Sequence, residues 1–287
     1  MRIVSYNIQF GRGTDDVVDL ARTSNVVRGA DIICLQEVDQ FWERSGFCDQ
    51  AAEMAGLLPT HYYVYGSSFD VDASSKAAHG AVINRRRRHG NMILSRWPIL
   101  SSRCFNLPKQ HYDDYFNMQM TCLEAVVDTG QRAMRIYSYH AAYLYAEERL
   151  TQVQTFASLF ARSPLEHGAW SGKADIDSDD WSNGRRVPPM PETAIVCGDF
   201  NASPDTEEYR RLLDSTGLVD CWSEVDTAHQ RTSTLLREPL ADIQVTGKVD
   251  HILVTPDLKN QIHDAAVLDE TLASDHRPVQ AILNLAG

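Results

Sequence analysis

An apolar run, Ala194-Ile195-Val196-Cys197, leads through Gly198 into Asp199-Phe200-Asn201. The run reads as a buried strand. Residues two apart on a strand point to the same face, so a carboxylate and an amide leave this strand's end side by side. The pattern recurs along the chain. Residues 31–38 form an apolar strand ending in Gln36-Glu37-Val38, and the first strand carries Asn7. Residues 132–140 end in Tyr139-His140, Asp275-His276 lies in a tight polar loop, and Asp250 lies in the strand group before it. A single strand-end glutamate is commonly a surface residue, and a single strand histidine is commonly structural. So many at the ends of buried strands point to chemistry. Glu37 is expected on the strand face of Ile33 and Leu35, where an unpaired carboxylate costs on the order of several kcal/mol.

These residue types suit metal-assisted phosphoester hydrolysis. Magnesium takes hard oxygen ligands, usually one or two carboxylates with water and substrate phosphate, and Glu37 is the best candidate for a direct ligand. A cation there would polarise the phosphoryl oxygen. The attacking water needs a carboxylate or imidazole to orient it, and Asp199 and His276 are available. Asn201 and His140 can donate hydrogen bonds to phosphate oxygens.

Alternating and helical spacing supplies the elements that must position them. Residues 2–10 alternate, with Val4, Tyr6 and Ile8 on one face and Ile3, Ser5, Asn7 and Gln9 on the other. Helices are expected over 15–29, 49–58, 145–162 and 206–216. Further strands are expected over 60–69, 90–98, 117–128, 248–254, 261–269 and 279–285. Arg85 to Arg88 read as a solvated loop or as a clamp on a phosphate-bearing substrate. Tyr112, Tyr115 and Phe116 sit in a polar, aromatic-bearing loop. Residues 163–192, rich in aspartate, glycine and proline, read as an inserted loop. Without a composition break, 1–287 is expected to be a single α/β domain.

Composition limits the function classes. Net charge is −12 over 287 residues, which disfavours general nucleic-acid binding although a local basic patch can still act. No apolar run is long enough to span a membrane. No signal-peptide pattern precedes the first strand, so a cytoplasmic location is expected. The six cysteines include no C-x-x-C pair, and the expectation is buried thiols in a reducing compartment.

Six segments carry a resemblance that runs from end to end: Val4-Ser5-Tyr6-Asn7-Ile8, Asp31 to Val38, Gly90-Asn91-Met92-Ile93-Leu94-Ser95-Arg96, Gly198-Asp199-Phe200-Asn201, Val249-Asp250-His251-Ile252 and Ser274-Asp275-His276-Arg277-Pro278. In this order the chain resembles the endonuclease/exonuclease/phosphatase superfamily. The resemblance implies an α/β fold, a two-sheet β-sandwich flanked by helices (four-layer, DNase I-like). It implies Glu37 as principal Mg²⁺ ligand, with Asn7 and Asp275 near the metal and Mn²⁺ as a substitute. It implies Asp199 and Asn201 around the attacking water and phosphate, with His276 as catalytic histidine oriented by Asp250. Asp199 and His276 are assigned the proton jointly. His140 stands where many members have Thr-His-Leu, although here the context is Tyr139-His140-Ala141. Gly90-Asn91 borders the cleft in that family, which makes Asn91, Arg85 and Arg86 candidates for substrate binding. Gln9 stands where abasic-site endonucleases carry a metal-side aspartate, which argues against a repair nuclease.

The leading expectation is therefore a Mg²⁺-dependent phosphohydrolase acting on a phosphodiester or phosphomonoester of a small molecule or lipid headgroup. A nuclease acting on DNA or RNA is the alternative. A catalytically dead binding module would have lost a key Glu, Asp or His, and none is lost.

Overall fold

The computed structural model describes residues 1–172, 182, 187–225, 233–236 and 247–285. Much of the expected 163–192 insertion lies outside them. The strands are β1 (Arg2–Asn7), β2 (Ile32–Gln40), β3 (Tyr62–Asp72), β4 (Ser75–Lys76), β5 (Val82–Ile83), β6 (Arg86–Ser95), β7 (Ile99–Asn106), β8 (Thr121–Asp128), β9 (Ala133–His140), β10 (Ala194–Asp199), β11 (Val219–Asp220), β12 (Asp250–Val254), β13 (Ile262–Val267) and β14 (Val279–Leu283). The helices are α1 (Leu20–Val27), α2 (Gln50–Leu57), α3 (Ala146–Glu166) and α4 (Glu207–Thr216).

Two six-stranded sheets face each other, in the orders β13-β14-β1-β2-β6-β3 and β11-β12-β10-β9-β8-β7. Their facing sides bury Ile3, Ile32, Cys34 and Ile93 of the first sheet against Leu123, Ala125, Ile136, Ile195 and Cys197 of the second. The outer side of the first sheet, with Val4, Tyr6 and Ile33, is covered by Leu20 and Val27 of α1 and Ala51 and Met54 of α2. The outer side of the second is covered by Val153, Phe156 and Phe160 of α3 and Tyr209 and Leu212 of α4. Helix, sheet, sheet and helix make the four layers. The alternation of Ile3 inward and Val4, Tyr6 and Ile8 outward follows the period of two in the sequence.

Each sheet contains a parallel pair. β1 runs parallel to β2, and β9 runs parallel to β10. Parallel neighbours need a crossover, here through α1 and α3, and both C-terminal strand ends then face the same way. Asn7 ends β1, Glu37 lies near the end of β2, and His140 and Asp199 end β9 and β10 as register partners. The sheets thus bring four chemistry-bearing residues to one rim. Gly198 allows the last of these contacts. A Cβ there would lie 1.9 Å from the Tyr139 carbonyl oxygen, so any side chain would push β10 off β9 beside the His140–Asp199 pair.

Several elements differ from the spacing-based expectation. α1 starts only at Leu20, because Asp19 caps it by accepting a hydrogen bond from the Arg22 amide at 2.9 Å. α3 continues past 162 to Glu166 despite Pro164. A proline frees the carbonyl four residues earlier. That carbonyl, on Phe160, accepts a hydrogen bond from Arg135 Nη1 at 2.9 Å. β6 starts at Arg86, so the arginine run is largely strand rather than loop.

Asn91 requires a correction. It is 1 % exposed, and its amide donates to the Ser138 and Thr121 carbonyls of the opposite sheet at 2.7 and 3.2 Å. The structure places it as a tie between the sheets, beneath the cleft surface where substrate binding was expected. Asn91→Leu would remove two buried hydrogen bonds between the sheets, at a cost of about 1–3 kcal/mol. Urea unfolding of the variant should show that loss, and an unchanged midpoint would refute the tie.

Candidate active site

Glu37 is where the strand pattern breaks. It has φ +61°, and the β2–β6 register slips between Leu35 and Val38. The bulge reverses the expected orientation. Glu37 does not join Ile33 and Leu35 against the helices; its Oε1 accepts a hydrogen bond from Asn7 Nδ2 at 3.0 Å, on the inter-sheet side. Bulges re-aim side chains in this way. Gln9 and Asn201 also have positive φ, +45° and +47°. Non-glycine residues rarely hold this conformation unless their surroundings enforce it, and such residues concentrate at functional sites.

Asp199 is the hub. Its Oδ2 accepts from Asn7 Nδ2 at 3.0 Å and lies 3.7 Å from both His140 Nε2 and His276 Nε2. Its Oδ1 accepts from the Asn201 backbone amide at 2.9 Å. Asn201 Nδ2 donates to the Ala141 carbonyl at 3.0 Å, which fixes the loop after β10 against the end of β9. On the far side of His276, Nδ1 meets Asp250 Oδ2 at 2.9 Å. Asp250, His276 and Asp199 therefore form a carboxylate–imidazole–carboxylate line.

Burial sets the charges of this line. It would pull His276 down, but the Asp250 and Asp199 carboxylates overcome it and hold the imidazole well above its ordinary pKa. Burial raises Asp250 against the pull of His276. His140 goes the other way: burial lowers it more than Asp199 and Glu37 raise it, leaving a neutral imidazole with one N–H to donate.

The loop before β14 carries Asp275. Gln9 Nε2 donates to Asp275 Oδ2 at 2.7 Å, and Ser274 Oγ donates to the Asn7 carbonyl at 2.7 Å. Glu37, Asp275 and the Asn7 amide oxygen are hard oxygen donors of the kind a divalent cation takes. Gln9 Oε1, buried without a hydrogen-bond partner among the described residues, adds another oxygen beside Asp275. This donor set fits a hard divalent cation. Asp199, Asp250 and His276 also place ligand atoms within 4.8 Å of one another. The hydrogen bond from His276 to Asp250 makes that trio a proton-handling line rather than a cage.

Arg86 is not at the site. Its Nε donates to Asp70 Oδ1 at 2.7 Å, and Arg88 Nε takes the other oxygen at 3.0 Å, both on the β3 side. Arg85 is exposed, with its guanidinium 5.7 Å from the centre of the Phe41 ring. Three clusters had no sequence signal strong enough to name them. One joins Asp39, Arg44 and His89. A second joins Gln36 to Ser138 across the sheets at 2.9 Å. The third joins Asp220, Lys248, His251 and Tyr209 behind the site, where His251 Nε2 contacts the Ala202 carbonyl at 2.9 Å. Asp39 had the one usable hint, a second carboxylate two residues after Glu37 in an apolar strand.

The model of the endonuclease/exonuclease/phosphatase family matches residues 4–276. The chain belongs to that family. Members of the endonuclease/exonuclease/phosphatase family are hydrolases that act on phosphoesters and generally use a divalent metal. An exodeoxyribonuclease of Bacillus subtilis (strain 168) is 26% identical over 113 residues. That match spans 32% of this chain and 44% of the relative, less than half its length. Among solved structures, an endonuclease/exonuclease/phosphatase from Beutenbergia cavernae DSM 12333 superposes with a TM-score of 0.67 at 20% identity, over 100% of this chain and 72% of that one. A mannosyl-6-phosphatase from Bacteroides thetaiotaomicron VPI-5482 does so with a TM-score of 0.64 at 17% identity, over 99% of both chains. At these identities the structures establish the fold alone. Among the described residues, no helix is long and apolar enough to cross a membrane.

Proposed function

We propose that the protein is a Mg²⁺-dependent phosphoester hydrolase acting on a small molecule or lipid headgroup. The observation that carries this reading is the convergence on Asp199 Oδ2 of Asn7 from the first sheet, His140 from the second and His276 from the last loop. Glu37, Asp275 and Asn7 would hold the metal, with Mn²⁺ as a substitute. Bound there, the cation would polarise the phosphoryl oxygen and offset charge as it develops.

The protein's own groups handle the water and the phosphate. Asp199, fixed by Asn7 and the Asn201 amide, orients the attacking water. As its oxygen bonds to phosphorus, its proton passes to the Asp199 carboxylate, while the His276 imidazolium, held by Asp250 through Nδ1, faces Asp199 Oδ2 from Nε2 and offsets the charge. Neutral His140 donates its N–H to a phosphoryl oxygen. The bond from phosphorus to the leaving oxygen then breaks, and that oxygen takes a proton from the Asp199–His276 pair.

The nuclease reading rests on the partial likeness to an exodeoxyribonuclease and is opposed by the net charge of −12. A panel of bis(p-nitrophenyl) phosphate, small phosphomonoesters, and single-stranded and duplex DNA, each with magnesium, manganese or chelator, separates the two. The expected result is chelator-sensitive turnover of small phosphoesters. Salt-sensitive DNA cleavage outpacing them would reverse the order.

A further inference from the structure

β6 carries one row of side chains from the core to beyond the rim. Ile93 packs between the sheets and Asn91 bonds across to the second sheet. Met92 and Leu94 point the other way, toward the helices. β6 itself has no bulge, since the register slips fall on β2 and β3. The inward row therefore continues through His89, Arg87 and Arg85. β2 is paired only as far as Gln40, opposite Arg88, so the end of β6, held by β3, projects past the rim on which Glu37 sits.

This inward row meets a built environment. Asp39, fully buried, accepts from His89 Nδ1 at 2.7 Å and from Arg44 Nε and Nη2 at 2.8 and 2.9 Å. The Arg44 guanidinium lies 4.2 Å from the centre of the Phe10 ring and 5.0 Å from that of Trp42. Gripped through two of its nitrogens, it leaves Nη1 without a partner among the described residues. Arg87 lies 5.9 Å from the Trp42 ring centre, makes no ion pair among the described residues, and has a buried Nε without a hydrogen bond. His89 Nε2 is likewise buried and without a partner among the described residues. The cluster adjoins the site, since Asp39 lies two residues beyond Glu37 on β2, opposite His89 on β6. Asp39 pairs with Arg44 and His89, Glu37 and Asp72 act on Arg44 and Arg87 from farther off, and Arg85 lies over the Phe41 ring, so the cluster gathers three guanidiniums in a chain whose net charge is −12. Planar guanidiniums fixed on aromatic faces suit a phosphate.

We propose that Arg87 and Arg44, flanked by Arg85 and His89, form an anion subsite that binds a second phosphate of the substrate. This rests on the phosphohydrolase reading and narrows its substrate class to small molecules bearing two phosphates. The hydrolysed ester lies at Asp199, and the second phosphate is held under the projecting end of β6. Arg86 and Arg88, turned to Asp70, take no part.

The test is calorimetric binding at fixed free magnesium, with alkane bisphosphonates of increasing chain length compared with the matching monophosphonates. The wild-type protein should bind the best bisphosphonate about tenfold or more tightly than its monophosphonate. Arg87→Gln should erase that advantage. Arg88→Gln, the same charge loss on the opposite strand face, should keep it, and thermal melts verify the fold of each variant. Arg44→Gln should act as Arg87→Gln does. Equal binding of the two ligand types by wild type, or an advantage that survives in Arg87→Gln, overturns the subsite. The readout needs no turnover: Arg87-dependent binding without hydrolysis of any phosphoester would overturn the functional reading and leave the subsite standing.

Discussion

His276→Asn is expected to lower kcat by about a thousandfold, within the range for a group that handles a proton in the transition state. The asparagine amide can still donate to Asp250 Oδ2, so the buried carboxylate keeps a partner and the fold is retained. What goes is Nε2, 3.7 Å from Asp199 Oδ2, and with it the imidazolium that shares proton handling with Asp199. Steady-state kinetics on the best substrate of the panel, beside a thermal melt, measure this. A kcat within about tenfold of wild type would remove His276 from the chemistry. Asp250→Asn should follow in the same direction with a smaller loss, because His276 would remain but without the carboxylate at Nδ1.

Glu37→Gln is the second large effect. The amide oxygen can still accept from Asn7, so the Asn7–Asp199 contact survives while the negative charge beside the proposed metal disappears. Activity should fall by about a thousandfold at moderate magnesium. Mn²⁺ affinity, followed by the loss of the free-ion paramagnetic resonance signal, should fall with it. Near-wild-type rates at saturating magnesium with unchanged Mn²⁺ binding would place the metal elsewhere. In the wild-type protein, chelation should abolish turnover and added magnesium restore it.

Much of this arrangement was legible because apolar strands that end in polar residues announce both their burial and their rim. Asn7, His140 and Asp199 could be placed from that pattern, and the outward row Val4, Tyr6 and Ile8 from alternation. The failures share a cause. Alternation predicts faces only while the ladder is regular, and the slip between Leu35 and Val38 turned Glu37 to the side opposite the expected one. Asn91 was placed at the cleft by the family resemblance, yet its amide nitrogen is taken up by carbonyls on the opposite sheet. The four arginines could not be divided into two faces before β6 was known to begin at Arg86. His89 was invisible because the carboxylate it meets, Asp39, lies 50 residues away on the neighbouring strand.

The order in which the strands join their sheets has a kinetic consequence. Strands β7 to β12 follow one another in the sequence, so the second sheet forms from a continuous stretch of chain. The first sheet does not: β1 pairs with β2 on one edge and with β14 on the other, Ile3 against Ala281. Closing that pairing brings together residues separated by nearly the whole chain, which is slow by the cost of loop closure. Asp275 and His276 lie just ahead of β14 and reach Gln9 and Asp250 only when it docks. Refolding should therefore recover most of its hydrogen-bonded backbone before it recovers any turnover, with hydrolytic competence arriving as the last event.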